Sequence, residues 1–226
     1  MHPLRILPAG DAALLVALEQ AIDPEVNAWC VAFADTVVQR FGAAVRDAVV
    51  GYCSVTVYFD PLLVDPGWLE RELQGAAERL PAAIVQEGAL IEVPVVYGGE
   101  CGPDLEDVAR FAGCTAAEVV ARHAAVTYRV YLLGFVPGFA YMATVDPRIA
   151  APRRATPRTV VPIGSVAIAG GQTGIYPDAT PGGWNLIGRT PLRPFDPSRP
   201  EACLFKPGDQ VRFHAITEAD FKNLEP

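Results

Sequence analysis

The chain has 226 residues, of which 51% are hydrophobic and 19% charged, so it can bury a sizeable core and lacks the composition of a disordered chain. Eighteen Lys and Arg against twenty-six Asp and Glu leave a formal net charge of -8, which repels phosphate backbones and anionic headgroups and excludes sequence-independent nucleic-acid binding. The five cysteines, at 30, 53, 101, 114 and 203, are odd in number and widely spaced, which fits reduced thiols and neither a disulfide framework nor a zinc site.

The longest uncharged stretches, 130–145 and 159–177, are shorter than the roughly 20 residues of a spanning helix and carry Gly and Pro, so no membrane span is expected. Arg5 is followed by Pro8, Gly10 and Asp11 before an apolar run can form, so no signal peptide is expected and the predicted location is the cytoplasm. Residues 1–90 hold twelve acids and five bases, whereas 91–226 hold fourteen and thirteen. Seven prolines and nine glycines fall within 134–188, a density that suits turns between short strands. These shifts divide the chain into a small α+β domain, 1–85, and a mostly β domain, 90–226, joined near Pro81 to Ala89.

In chain order, Ala12 to Leu18 reads as an apolar strand, and Asp23 with Pro24 opens a helix that runs to about Arg40 and is stopped by Gly42. Val45 to Tyr52 and Ser54 to Phe59 are β-rich, and Asp65-Pro66 starts a second helix through Leu69, Leu73 and Leu80. A last strand at Ala83 to Gln86 would complete a ferredoxin-like split βαβ unit. Ile91 to Tyr97 is a Val-rich strand, Asp104 is placed to cap a helix through Phe111, and Thr115 with Glu118 makes a capping box for Val119 to Ala125. Tyr128 to Leu133 follows, then short runs at Ser165 to Ala169, Trp184 to Ile187, Ala202 to Phe205 and Gln210 to Phe213, which suit a barrel.

Common catalytic signatures are absent. There is no Walker loop, no Gly-x-Gly-x-x-Gly, no Gly-x-Ser-x-Gly elbow, and His2, His123 and His214 are too scattered for a metal motif, so the metal expectation is none. Gly170 to Gly174 is no standard nucleotide fingerprint, though its amides can meet an oxyanion.

Six arginines and one acid lie between Val119 and Pro177, and Arg153, Arg154 and Arg158 sit in a proline-stiffened loop. Their guanidinium groups suit carboxylate or phosphate, or else pair with acids of the first domain or of a partner. Glu100, in a glycine-rich turn, can orient a water or polar substrate group or stand idle; His123 can exchange protons near neutral pH or pack; Cys101 is a bystander. Gly134 to Tyr141 can form an aromatic lid but is expected as a packed loop, and Gln172, Thr173, Tyr176, Asn185 and Arg189 are polar groups able to line a pocket.

At Gly10 to Leu15, Tyr97 to Glu100 with Gly102 to Leu105, His123 with Tyr128, Gly134 to Tyr141, Pro152 to Arg158, Gly164 to Gly170, Gln172 to Pro177, Pro181 to Trp184 and Gly188 to Pro191, the chain resembles the family of 5-oxoprolinase B subunits. That family includes sporulation-kinase inhibitors and the allophanate hydrolase subunit 1 type domain of urea carboxylases. The resemblance implies an α+β first domain and a cyclophilin-like β-barrel second domain. It implies a component, inactive alone, that acts with 5-oxoprolinase subunits C and A and with ATP to open 5-oxo-L-proline to L-glutamate. The alternatives it carries are a histidine-kinase inhibitor and half of a biotin-dependent urea carboxyltransferase. The residues expected to act are Glu100, His123, Arg153 and Arg154 in catalysis and Gln172 and Arg189 in substrate binding, with the pocket on the second domain and completed by a partner.

Overall fold

The computed structural model describes residues 4–81 and 88–224, and the chain divides into two compact units, 1–87 and 88–226. In the first, β1 (Arg5–Pro8), β2 (Ala13–Ala17), β3 (Val45–Val50) and β4 (Ser54–Phe59) form an antiparallel sheet in the order β1-β2-β4-β3. Helices α1 (Pro24–Phe41) and α2 (Pro66–Arg79) contribute Phe33, Val37, Leu69 and Leu73 to its core, against Val16, Val55 and Val57 of the strands. Both helices begin as the sequence predicts: the Asp23 carboxylate accepts from the amides of Glu25 and Val26, the Asp65 carboxylate accepts from Trp68, and each Asp precedes a proline. Gly42, at φ 46, ends α1. Strand β1 is an addition to the predicted elements: it is a short edge strand ending at Pro8, too brief to show an alternating pattern. It occupies the edge beside β2, and the strand expected at 83–86 lies outside the described residues.

The second unit is a closed seven-stranded barrel. Its strands are β5 (Leu90–Tyr97), β6 (Thr127–Leu133), β7 (Ala140–Ala143), β9 (Ser165–Ala169), β10 (Gln172–Ile175), β12 (Asn185–Arg189) and β13 (Gln210–Ala215). They close in the order β10-β7-β6-β13-β5-β12-β9, all antiparallel except β13 beside β5. Closure leaves the barrel without an exposed edge. Strands β8 (Arg158–Val161) and β11 (Thr180–Gly182) form a separate two-stranded ribbon. Helices α3 (Leu105–Ala112) and α4 (Ala116–Ala124) pack Val108 and Val119 into the barrel core, and α5 (Glu218–Leu224) ends the described chain.

Every residue of β9 is buried, which breaks the usual half-buried alternation. The two faces still alternate in destination: Val166 and Ile168 join the main core, whereas Ala167 and Ala169 join a second cluster with Phe139, Tyr176 and Trp184. Ala202 to Phe205, expected as a strand, makes only an isolated bridge between Phe195 and Cys203. Phe205 is buried in the core without a ladder, between Pro200 and Pro207, which cannot donate to one. Glycine or proline within β10 and β11 hides them from a reading of the sequence, and β7 and β8, of four residues each, are too short to show a pattern.

The turn after β5 lies directly on β12. The Gly98 amide donates to Ile187 O at 3.0 Å, Gly102 N to Gly98 O at 2.8 Å, and Asp104 N to Leu186 O at 2.9 Å. A Cβ on Gly102 would stand 2.1 Å from the Ile187 carbonyl oxygen, so backbone must part from backbone to admit it. Gly102→Ala is expected to cost at least about 1–3 kcal/mol. Denaturant unfolding of the two proteins measures it, and an unchanged midpoint would contradict the close approach.

Candidate functional site

Asp104 precedes α3, but its carboxylate caps no helix amide. The capping role predicted from sequence is therefore corrected: the side chain, 2% exposed, turns toward β12 and the arginine loop. Arg154 Nη1 donates to Asp104 Oδ1 at 2.6 Å, Arg158 Nη1 and Nη2 donate to Oδ2 and Oδ1 at 2.8 Å each, and Leu186 N donates to Oδ2 at 2.7 Å. The carboxylate raises the pKa of Arg158 above its ordinary value, chiefly through those hydrogen bonds. Around it, Arg154 N donates to Gly183 O at 2.8 Å and Asn185 Nδ2 donates to Pro152 O at 2.8 Å. Two arginines singled out by sequence thus hold the loop in place.

Arg153 behaves differently from its neighbour. It is exposed, has no ion-pair partner among the described residues, and its guanidinium carbon lies 6.0 Å from the Trp184 ring centroid. Trp184 belongs to an aromatic cluster in which Phe139 contacts Tyr141, Tyr176 and Trp184 at centroid distances of 4.8, 5.2 and 5.4 Å. Gly138, Phe139 and Ala140 of the 134–141 segment are buried, so that part of the segment is packed as expected, while Phe135 remains 59% exposed at φ 69. Gly134 O accepts from Val136 N at 2.9 Å, making Phe135 the centre of a γ-turn in a conformation that favours glycine. A cavity of about 420 Å³ is bordered by Val108 and Phe111 of α3 and by Arg153, Arg154 and Asn185. A second cavity, about 480 Å³, is lined by Ile91, Leu133, Phe205 and Lys206 and contains none of the residues singled out by sequence.

His123 lies in the barrel core, fully buried, and ring-packs against Tyr128 and Phe213. Its Nδ1 is 2.8 Å from the Tyr97 hydroxyl and its Nε2 is 2.9 Å from Thr173 Oγ1. Thr173 Oγ1 donates to Ala167 O at 3.0 Å, so its oxygen accepts from Nε2–H, and Nδ1 accepts from the Tyr97 hydroxyl. This directed chain requires neutral His123 with the proton on Nε2. Burial pushes the His123 pKa down to about 3 and raises those of Tyr97 and Tyr128. The expectation of an acid or base active near neutral pH is therefore corrected to a buried structural imidazole.

The remaining predicted residues do not converge. Glu100 is exposed at the tip of the turn after β5, while Gln172, half-buried, opens β10 next to Thr173. Arg189 Nε donates to Ile163 O at 2.8 Å, a backbone tether. The turn at Gly170 and Gly171 is a two-residue hairpin loop between β9 and β10, and the Gly170 amide donates to Ala151 O at 2.7 Å. That amide is thus already taken, against the oxyanion expectation. That Tyr97 and Thr173 meet His123 escapes a reading of the sequence, because nothing local marks hydroxyls that come together across a barrel.

The family described as carboxyltransferase domain, subdomain C and D, matches residues 4–205. The chain belongs to this family. Its curated relatives include the 5-oxoprolinase B subunit of Bacillus subtilis (strain 168), 36% identical over 94% of this chain and 92% of that protein. The 5-oxoprolinase B subunit of Escherichia coli O157:H7 is 47% identical over 75% of this chain and 77% of that protein. The crystal structure of TTHA0988 superposes with a TM-score of 0.81 at 37% identity, covering 91% of this chain and 40% of that one. The Kluyveromyces lactis urea carboxylase shares the fold, with a TM-score of 0.79 at 20% identity over 97% of this chain and 22% of that one. Asp104, the arginine loop and His123 with its two partners all lie within the residues that this family matches.

Two stability measurements separate the roles of these residues. Asp104→Ala leaves two guanidinium groups and the Leu186 amide without their acceptor and is expected to cost about 3 kcal/mol, against about 1 kcal/mol for Asp23→Ala, which removes a true cap. Equal losses in urea unfolding would return Asp104 to a capping role. For His123, folded and unfolded states are both neutral above pH 6.5, so no pH dependence arises there. Below it the unfolded chain takes up a proton that the folded chain refuses until about pH 3, and stability falls by about 1.4 kcal/mol per pH unit. His123→Gln should lower stability at pH 7 and flatten the acid slope by that amount; identical slopes for the two proteins between pH 6 and 4 would refute the assignment.

Proposed function

We propose that this chain is the B subunit of an ATP-dependent 5-oxoprolinase, which with subunits C and A opens 5-oxo-L-proline to L-glutamate in the cytoplasm. The observation that carries the reading is the match, near full length on both sides, with the 5-oxoprolinase B subunit of Bacillus subtilis. In this reading residues 1–85 form a ferredoxin-like unit, residues 90–226 a cyclophilin-like barrel, and the chain is inactive alone.

The described residues do not fit ATP. They offer no glycine-rich phosphate loop, and the amide of Gly170 is taken by Ala151 O, so ATP is assigned to the assembled complex and no step of this chain runs through it. What the chain brings is a cationic, partly apolar cavity at Arg153. A lactam is a poor electrophile, and a guanidinium near its oxygen or its carboxylate suits both substrate binding and developing charge. Glu100 and Gln172 remain site residues in this reading through surfaces that a partner protein completes.

Reconstitution tests the proposal. The purified chain is combined with candidate subunits A and C, 5-oxo-L-proline and ATP, and glutamate is measured with and without it. Glutamate is expected only from the complete mixture, and full production without this chain would overturn the reading.

A further inference from the structure

The cavity beside α3 is positively charged in a protein whose net charge is -8. Arg153 and Arg154 line it together with Asp107, and the ion pairs behind them bring in Arg158, Asp104 and Arg110. Four guanidinium groups thus face two carboxylates. Arg154 and Arg158 share Asp104, and Arg110 holds Asp107 at 2.7 Å, which leaves Arg153 as the guanidinium of this group without a carboxylate. Its charge is presented by a loop tied down by the Arg154 amide and by Asn185, so its backbone needs little ordering on binding. On the α3 side the lining is Asp107, already held by Arg110, the buried Val108, and Phe111, which is 56% exposed at the rim and supplies the accessible apolar surface.

The geometry points to a binding site for a small organic carboxylate, with the carboxylate paired to Arg153 and the apolar part of the ligand resting on Phe111. A volume of about 420 Å³ falls in the range of small-molecule sites. The planar guanidinium matches a carboxylate in a two-bond fork, and the exposed Phe111 ring favours an organic acid over an inorganic anion. The site deepens the 5-oxoprolinase reading, on which it rests only for the identity of one probe.

Equilibrium dialysis on the full chain tests it with three probes: 5-oxo-L-proline, cyclopentanecarboxylate, and the neutral amide of 5-oxoproline. Both carboxylates are expected to bind saturably and the amide at least about tenfold more weakly. Arg153→Ala should weaken both carboxylates by about tenfold or more, Arg153→Lys should restore part of the loss, and Arg193→Ala, an exposed control outside the cavity, should change nothing. Equal binding of the amide, indifference to Arg153→Ala, no saturable binding of either carboxylate, or displacement by inorganic phosphate at equal concentration would each overturn the proposal. Its failure is distinct from that of the 5-oxoprolinase assignment. Arg153-dependent binding of cyclopentanecarboxylate would stand even if glutamate formed without this chain, and its loss would leave a successful reconstitution intact.

Discussion

One carboxylate organises the face of the barrel that carries the candidate site. Asp104 exchanges two hydrogen bonds with Leu186 of β12, its amide donating to the Leu186 carbonyl and its side chain accepting from the Leu186 amide. Its two oxygens also receive Arg154 and Arg158. A buried charge of this kind is tolerated because every bond it accepts is charge-assisted or comes from an amide that would otherwise lack a partner. The glycine-rich turn, the arginine loop and β12 are thereby joined at a single point, and the one guanidinium left out of the arrangement, Arg153, is the one available to a ligand.

His123 and the aromatic cluster depend on the same barrel in different ways. His123 works inward: its neutral ring passes a directed hydrogen-bond chain from Tyr97 to Thr173 and on to the backbone of β9, which ties α4 to strands on both sides of the core. The aromatic cluster works outward, on the other face of the same strand, where Ala167 and Ala169 leave room for Phe139, Tyr176 and Trp184. A strand with small residues on one face and branched ones on the other can serve both packings at once. Arg153 lies over the aromatic ring that this second packing fixes.

Much of the local structure is legible because its causes are local. Asp23-Pro24 and Asp65-Pro66 start helices by satisfying free amides within three residues, Thr115 and Glu118 close a capping box across one turn, and the β-branched run at Ser54 to Phe59 is a strand with the predicted limits. The failures have causes that the segment itself does not carry. Ala202 to Phe205 finds only a single bridge in place of a strand partner, the short β7 and β10 are held as strands by barrel closure, and β8 and β11 pair only with each other.

Neighbours in the chain, or an ordered set of motifs, are enough to fix α1 to α4, the longer strands, the acidic balance of the first ninety residues and the family the chain resembles, whereas the short α5 is not among the predicted elements. What the charged and titratable residues do follows from the folded barrel. Asp104 and Arg158 are fifty-four positions apart and His123 and Thr173 fifty, so no local pattern records that they meet. Burial then settled their chemistry: the core keeps His123 neutral, and ion pairing commits Arg154 and Arg158 while adjacent Arg153 stays open. Two neighbouring arginines of identical chemistry acquire different roles because the backbone turns one toward a buried carboxylate and the other toward solvent.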